Sequence, residues 1–122
     1  MKICITSQGD TLEAKVDPRF GRCQYFLYID TQTDQCEAVE NPFKEGGGAG
    51  IQVGQVMADS KVAVVLTGNV GPNAFQTLQA ANIQVVPGVS GFVKDVYAQF
   101  KRGETGPSAN GPSVESHSGL QS

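Results

Sequence analysis

The chain has 122 residues, 39% of them hydrophobic and 17% charged, with a formal net charge of −3. This length carries one domain with a single core. All nine Lys and Arg precede Gly103, where only Glu104 and Glu115 add charge, so the body is nearly neutral and lacks the basic cluster of a nucleic-acid binder.

In chain order, Lys2-Ile3-Cys4-Ile5-Thr6 reads as a first strand, with Ile3 and Ile5 alternating with polar neighbours. No signal-peptide block and no apolar stretch near the ~18 residues of a membrane span is present. A soluble, cytoplasmic protein is expected. Residues 8–21 are polar and turn-rich, punctuated by Gly9-Asp10, Asp17-Pro18 and Gly21. Residues 25–29 form an aromatic and aliphatic strand, which Thr31-Gln32-Thr33-Asp34 turns into a hairpin partner at 36–39, ended by Asn41-Pro42.

After the glycine stretch Gly46-Gly47-Gly48, residues 49–58 carry Ile51, Val53, Val56 and Met57 at helical spacing. Residues 62–66 are continuously apolar, the pattern of a strand buried on both faces. Ala74, Phe75, Leu78 and Ala81 share one face of a helix opening at Pro72, with Asn82 at its C-terminal end. Residues 83–86 form a short strand stopped by Pro87-Gly88, making residues 62–86 a parallel crossover. Ser90 is expected to cap a last helix bearing Phe92, Val93, Val96, Tyr97 and Phe100, with the aromatics as core. The fold expected is α/β, a mixed sheet in the order β-β-β-α-β-α-β-α. Residues 1–102 form the domain, and 103–122, rich in Gly, Ser and Pro, form a disordered tail.

The run from Leu66 to Phe75 is the most informative segment. A strand gives way through Thr67-Gly68-Asn69-Val70-Gly71 to a helix at Pro72-Asn73, exposing backbone N–H groups at a positive helix pole. That end suits an anion, although any strand-to-helix turn favours such residues. The run holds no nucleophile or general base. Gly48, Gly50 and Gly54 follow a hairpin strand and miss the G-x-G-x-x-G spacing, so they read as a mobile connection or a lid, not a dinucleotide fingerprint. Arg19 and Arg22, flanking Phe20-Gly21, either pair with an anion or with Asp10, Glu13 or Asp17. Cys4, Cys23 and Cys36 show no C-x-x-C and read as reduced structural thiols. Cys23 is the one thiolate candidate for a metal, since adjacent Arg22 would lower its pKa.

Asp17-Pro18-Arg19-Phe20-Gly21-Arg22, Gly48-Ala49-Gly50-Ile51-Gln52 and the run from Leu66 to Phe75 together resemble the dinitrogenase iron–molybdenum cofactor biosynthesis family over residues 1–102. The resemblance implies a ribonuclease H-like fold of five strands and three helices. It implies non-catalytic binding of a preformed metal–sulfide cluster containing molybdenum, of molybdenum–copper type as in single-domain members or of iron–molybdenum type. Cofactor-binding relatives use a core histidine, whereas His117 in the tail is the only one here. A histidine-free, non-covalent mode is therefore implied, with Arg19, Phe20, Arg22, Gly48, Gly50, Thr67, Gly68, Asn69, Val70, Gly71 and Asn73 as the cluster-binding residues. Cluster donor, acceptor or ATPase proteins would be its partners. The alternatives are a nuclease-like enzyme, opposed by the lack of acids in the first and fourth strands, and a partner-binding module using the tail.

Overall fold

The computed structural model describes residues 1–106, 108 and 111. His117 and the disorder expected through the rest of the tail lie outside the described residues. Strands β1 (Lys2–Ser7), β2 (Tyr25–Asp30) and β3 (Cys36–Glu40) are followed by helix α1 (Ala49–Asp59), β4 (Val64–Leu66), α2 (Pro72–Ala80), β5 (Gln84–Val86) and α3 (Val93–Lys101). The single sheet runs β3-β2-β1-β4-β5. β1 pairs antiparallel with β2, and β2 antiparallel with β3, while β1–β4 and β4–β5 are parallel. The α/β order and the meander-plus-crossover topology agree with the sequence reading.

Side chains alternate across the sheet, and this splits the core into two layers. Cys4, Phe26, Tyr28, Val65 and Val85 face one layer with Val53, Met57, Ala74 and Leu78 of α1 and α2. Ile3, Ile5, Leu27, Ile29, Val64 and Leu66 face the other with Val93 and Val96 of α3. β1 is the strand its alternation predicts, and Cys4 is buried as a structural thiol; among residues 2–6, Thr6 alone departs from a polar-outward pattern. Cys4 and Thr6 are as buried as Ile3 and Ile5, because β1 is the central strand and both its faces are covered.

Element ends differ from the pattern where local bonds decide. The amide of Val62 closes α1 onto Met57 O (3.1 Å), and Ala63 N bonds Lys2 O (2.8 Å), so β4 starts two residues late. Asn82 takes the left-handed conformation (φ 60°) beyond the α2 C-cap Ala81, the role expected of it. Ser90 does not cap α3; the N-cap is Phe92, without a side-chain cap bond. The first-turn amides of Val93 and Lys94 instead find Ala14 O (2.8 Å) and Leu12 O (3.0 Å) on the loop after β1. Main-chain carbonyls thus replace the hydroxyl, and Phe92 is left 43% exposed rather than in the core.

Candidate functional site

Because β2 is antiparallel to β1 and β3, and β4 is parallel to β1, the chain leaves β1, β3 and β4 at the same end of the sheet. The loop after β3 leads to the start of α1, and the loop after β4 leads to the start of α2. Both helix N-termini therefore open at the carboxyl edge of the sheet, where open α/β sheets place their ligands. Between them lies a wedge, residues 18–21 of the loop after β1. On one side Asn69 N bonds Pro18 O (2.8 Å), and a Cβ on Gly68 would sit 2.6 Å from Pro18 Cα. On the other, a Cβ on Gly21 would sit 2.7 Å from Gly50 N. Only hydrogen in place of a side chain lets three backbones approach this closely.

These segments enclose a cleft of about 430 Å³, lined by residues 19–22, 48–51, 69 and 71–74. None of these is a carboxylate, Cys or His. Neither α1 nor α2 has an acidic residue in its first turn or a side-chain cap. The first-turn amides of each helix have no intrahelical acceptor, and each end carries roughly +0.5 of an elementary charge. Two such poles and two arginine side chains border the cleft. Gly48 caps α1 in the left-handed region (φ 73°), which admits glycine at little strain.

The arginines are held differently. Asp17, wholly buried, accepts from Arg19 Nε (3.2 Å) and Nη2 (3.3 Å), while the Arg19 side chain stays 56% exposed. This partner raises the Arg19 pKa further. Among the described residues Arg22 pairs with no carboxylate; it donates to the carbonyls of Lys44 (3.0 Å) and Gly46 (2.7 Å), tying down the glycine stretch that reads from sequence as a mobile connection or lid.

Of the residues singled out from sequence, Arg19, Phe20, Arg22, Gly48, Gly50, Asn69, Gly71 and Asn73 line the cleft. Thr67, Gly68 and Val70 do not. Thr67 is buried, hydrogen bonded through Oγ1 to Thr6 Oγ1 (2.7 Å), and its amide serves Val86 O (3.2 Å). Gly68 packs on Pro18, and the Val70 side chain is in the core. The amide cradle is thus shorter than the run suggested, since Asn69 N also has an internal acceptor.

Cys23 departs most from expectation. It lies in the core, outside the cleft lining. Burial, then the nearby Asp17 charge, push its pKa up to about 12, the opposite of the lowering expected from Arg22. Among the described residues no group of three His, Cys, Asp or Glu is placed to hold a metal ion.

Sequence reasoning missed the second helix pole and Asn41, which braces the wedge. Asn41 Nδ2 donates to Gly21 O (3.0 Å) and Cys23 O (2.9 Å), though Asn41-Pro42 read only as a strand stop. The available signal was Gly50 and Gly54, four apart on one helix. A Cβ on either would press on Ala74 Cβ (3.0 Å) or Thr77 Cγ2 (2.7 Å), so these glycines bring α1 against α2 and draw the two N-termini together.

Comparison with known proteins bears on family and fold. The family model described as dinitrogenase iron-molybdenum cofactor matches residues 1–103. The structure of the apo form of the orange protein from Desulfovibrio gigas superposes with a TM-score of 0.87 at 42% identity, covering 93% of this chain and 96% of that one. A NifB-like protein of the DUF35 family from Thermotoga superposes at 0.75 with 35% identity over 84% of this chain and 89% of its own. An uncharacterized protein of Methanocaldococcus jannaschii is 27% identical over 89 residues, 70% of this chain and 72% of its own length. The chain belongs to the dinitrogenase iron-molybdenum cofactor family.

Proposed function

We propose that this protein is a non-enzymatic carrier or scaffold for an anionic metal–sulfide cluster, containing molybdenum with copper as its second metal, held non-covalently in the cleft between α1 and α2. The observation that carries this reading is the convergence of two acid-free, uncapped helix N-termini and Arg19 on one cleft whose described lining has no Cys, His or carboxylate. A bare metal ion finds no ligand there. A cluster that brings its own sulfide ligands needs only N–H donors and positive potential, which these helix ends supply. The family's iron-molybdenum cofactor description and the similarity to a protein solved in an apo form support the same cargo class.

The reading extends to fold and context. A five-stranded order with only β2 reversed supports the ribonuclease H-like class. Cys4 between Ile3 and Ile5 on β1, and a β4 of Val64, Val65 and Leu66, give no paired carboxylates for two-metal nuclease chemistry. Among the described residues no helix is long and apolar enough to cross a membrane. We place the protein in the cytoplasm, exchanging cargo with donor, acceptor or ATPase proteins.

The test is reconstitution. Apo protein mixed with tetrathiomolybdate and cuprous ion, then desalted, retains a visible charge-transfer band in the protein fraction. Colour eluting entirely with the small molecules contradicts the proposal.

A further inference from the structure

Asp17 is the one wholly buried carboxylate among the described residues, and it is not itself part of the cleft lining. Each of its oxygens takes two donors. Oδ1 accepts from Arg19 N (3.1 Å) and Nε (3.2 Å), and Oδ2 from Arg19 Nη2 (3.3 Å) and Gln24 N (3.1 Å). Its own main chain is fixed to β1, since Asp17 N bonds Thr6 O (2.9 Å) and Thr6 Oγ1 bonds Asp17 O (2.7 Å). The carboxylate is saturated. It grips one side of the Arg19 guanidinium and leaves the remaining N–H donors without a partner among the described residues, on a side chain that lines the cleft.

We propose that Asp17 is the positioning residue of the cleft: it locks the exposed Arg19 fork in one orientation, so that the unpaired N–H edge meets the anion. This inference rests on the anion-binding reading above. A free surface arginine would lose its rotamer freedom on binding, and a guanidinium already ordered by a buried carboxylate has lost it beforehand. Asp17 acts through Arg19, not on the ligand. Its charge alone opposes an incoming anion, which makes the sign of its removal informative.

The test titrates the full chain with tetrathiomolybdate and follows the Arg19 Nε–H resonance in ligand-free samples. Asp17→Asn is expected to weaken binding about tenfold, the scale of a charge-assisted hydrogen-bond pair, although loss of a nearby negative charge by itself would strengthen it. Arg19→Gln is expected to weaken binding similarly, and the double variant to bind no worse than Arg19→Gln alone. Arg19→Lys keeps the charge and loses the fork, so it weakens binding too; this variant decides the matter should Asp17→Asn fail to fold. Unchanged or tighter binding by Asp17→Asn, or wild-type affinity in Arg19→Lys, overturns the proposal. Absence of binding by the wild type overturns the cluster reading instead. In that case an Nε–H that is ordered in the wild type and averaged in Asp17→Asn still supports positioning, and one that is equal in both overturns it.

Discussion

Gly68→Ala tests the wedge that joins the two halves of the cleft. The added Cβ would lie 2.6 Å from Pro18 Cα, 2.7 Å from Pro18 O and 2.9 Å from Pro18 Cβ. Two of these atoms are backbone, so no side chain can swing away, and the wedge must move off the β4–α2 loop. Such overpacking costs about 1–3 kcal/mol, or a fall in Tm of roughly 5–15 °C for a domain of this size. The Asn69 N to Pro18 O bond stretches with it. Gly71→Ala is the control: a Cβ there meets nothing within 4 Å, and the extended backbone (φ −75°) accepts alanine. Its stability should stay within about 0.5 kcal/mol of wild type or rise slightly. Urea denaturation with calorimetry measures both. Equal stability of Gly68→Ala and wild type would refute the close-approach argument, as would a Gly71→Ala loss as large as that of Gly68→Ala.

Arg22→Gln removes the guanidinium from the Lys44 and Gly46 carbonyls, so the amides of residues 45–48 should exchange hydrogen several-fold faster while the strands are unaffected; unchanged exchange would show that the loop holds itself. Iodoacetamide at pH 8 should label Cys36 alone in the native chain and all three thiols after unfolding, because Cys4 and Cys23 are buried and their pKa values are raised; native labelling of Cys23 counts against its burial. The native state holds the Cys23 proton more tightly than the unfolded chain, so stability should fall as pH rises from about 9 towards 12, and a flat profile there contradicts the shift. Thr67→Val breaks a buried hydroxyl pair with Thr6, which should lower stability by about 1 kcal/mol in the same urea assay; a neutral result would show that the pair adds nothing.

The fold was readable where pattern and burial agree. The apolar run before Thr67 marked a strand covered on both faces, and Ala74, Phe75 and Leu78 marked the buried side of α2. Among residues 2–6 of β1 only Thr6 broke the alternation, because its hydroxyl is satisfied within the core, so a polar residue type is not by itself an exposed position. α3 misled because carbonyls of a distant loop, not Ser90, satisfy its first turn. The site was half legible. A turn between β4 and α2 announces one helix pole from local sequence, whereas the convergence of α1 on it is a tertiary fact carried by Gly50 and Gly54. The Arg19–Asp17 pair was among the local alternatives, whereas the fates of Arg22 and Cys23 depended on partners 18 to 24 residues away, which no local spacing records.

A titration of ¹⁵N-labelled apo protein with tetrathiomolybdate, read amide by amide, bears most directly on whether two helix ends grip one anion. The shifts should gather at Gly50, Ile51, Gly71, Asn73 and Ala74 and saturate together with a single dissociation constant. Perturbation of α2 residues alone, or of none of these, would contradict a shared cleft.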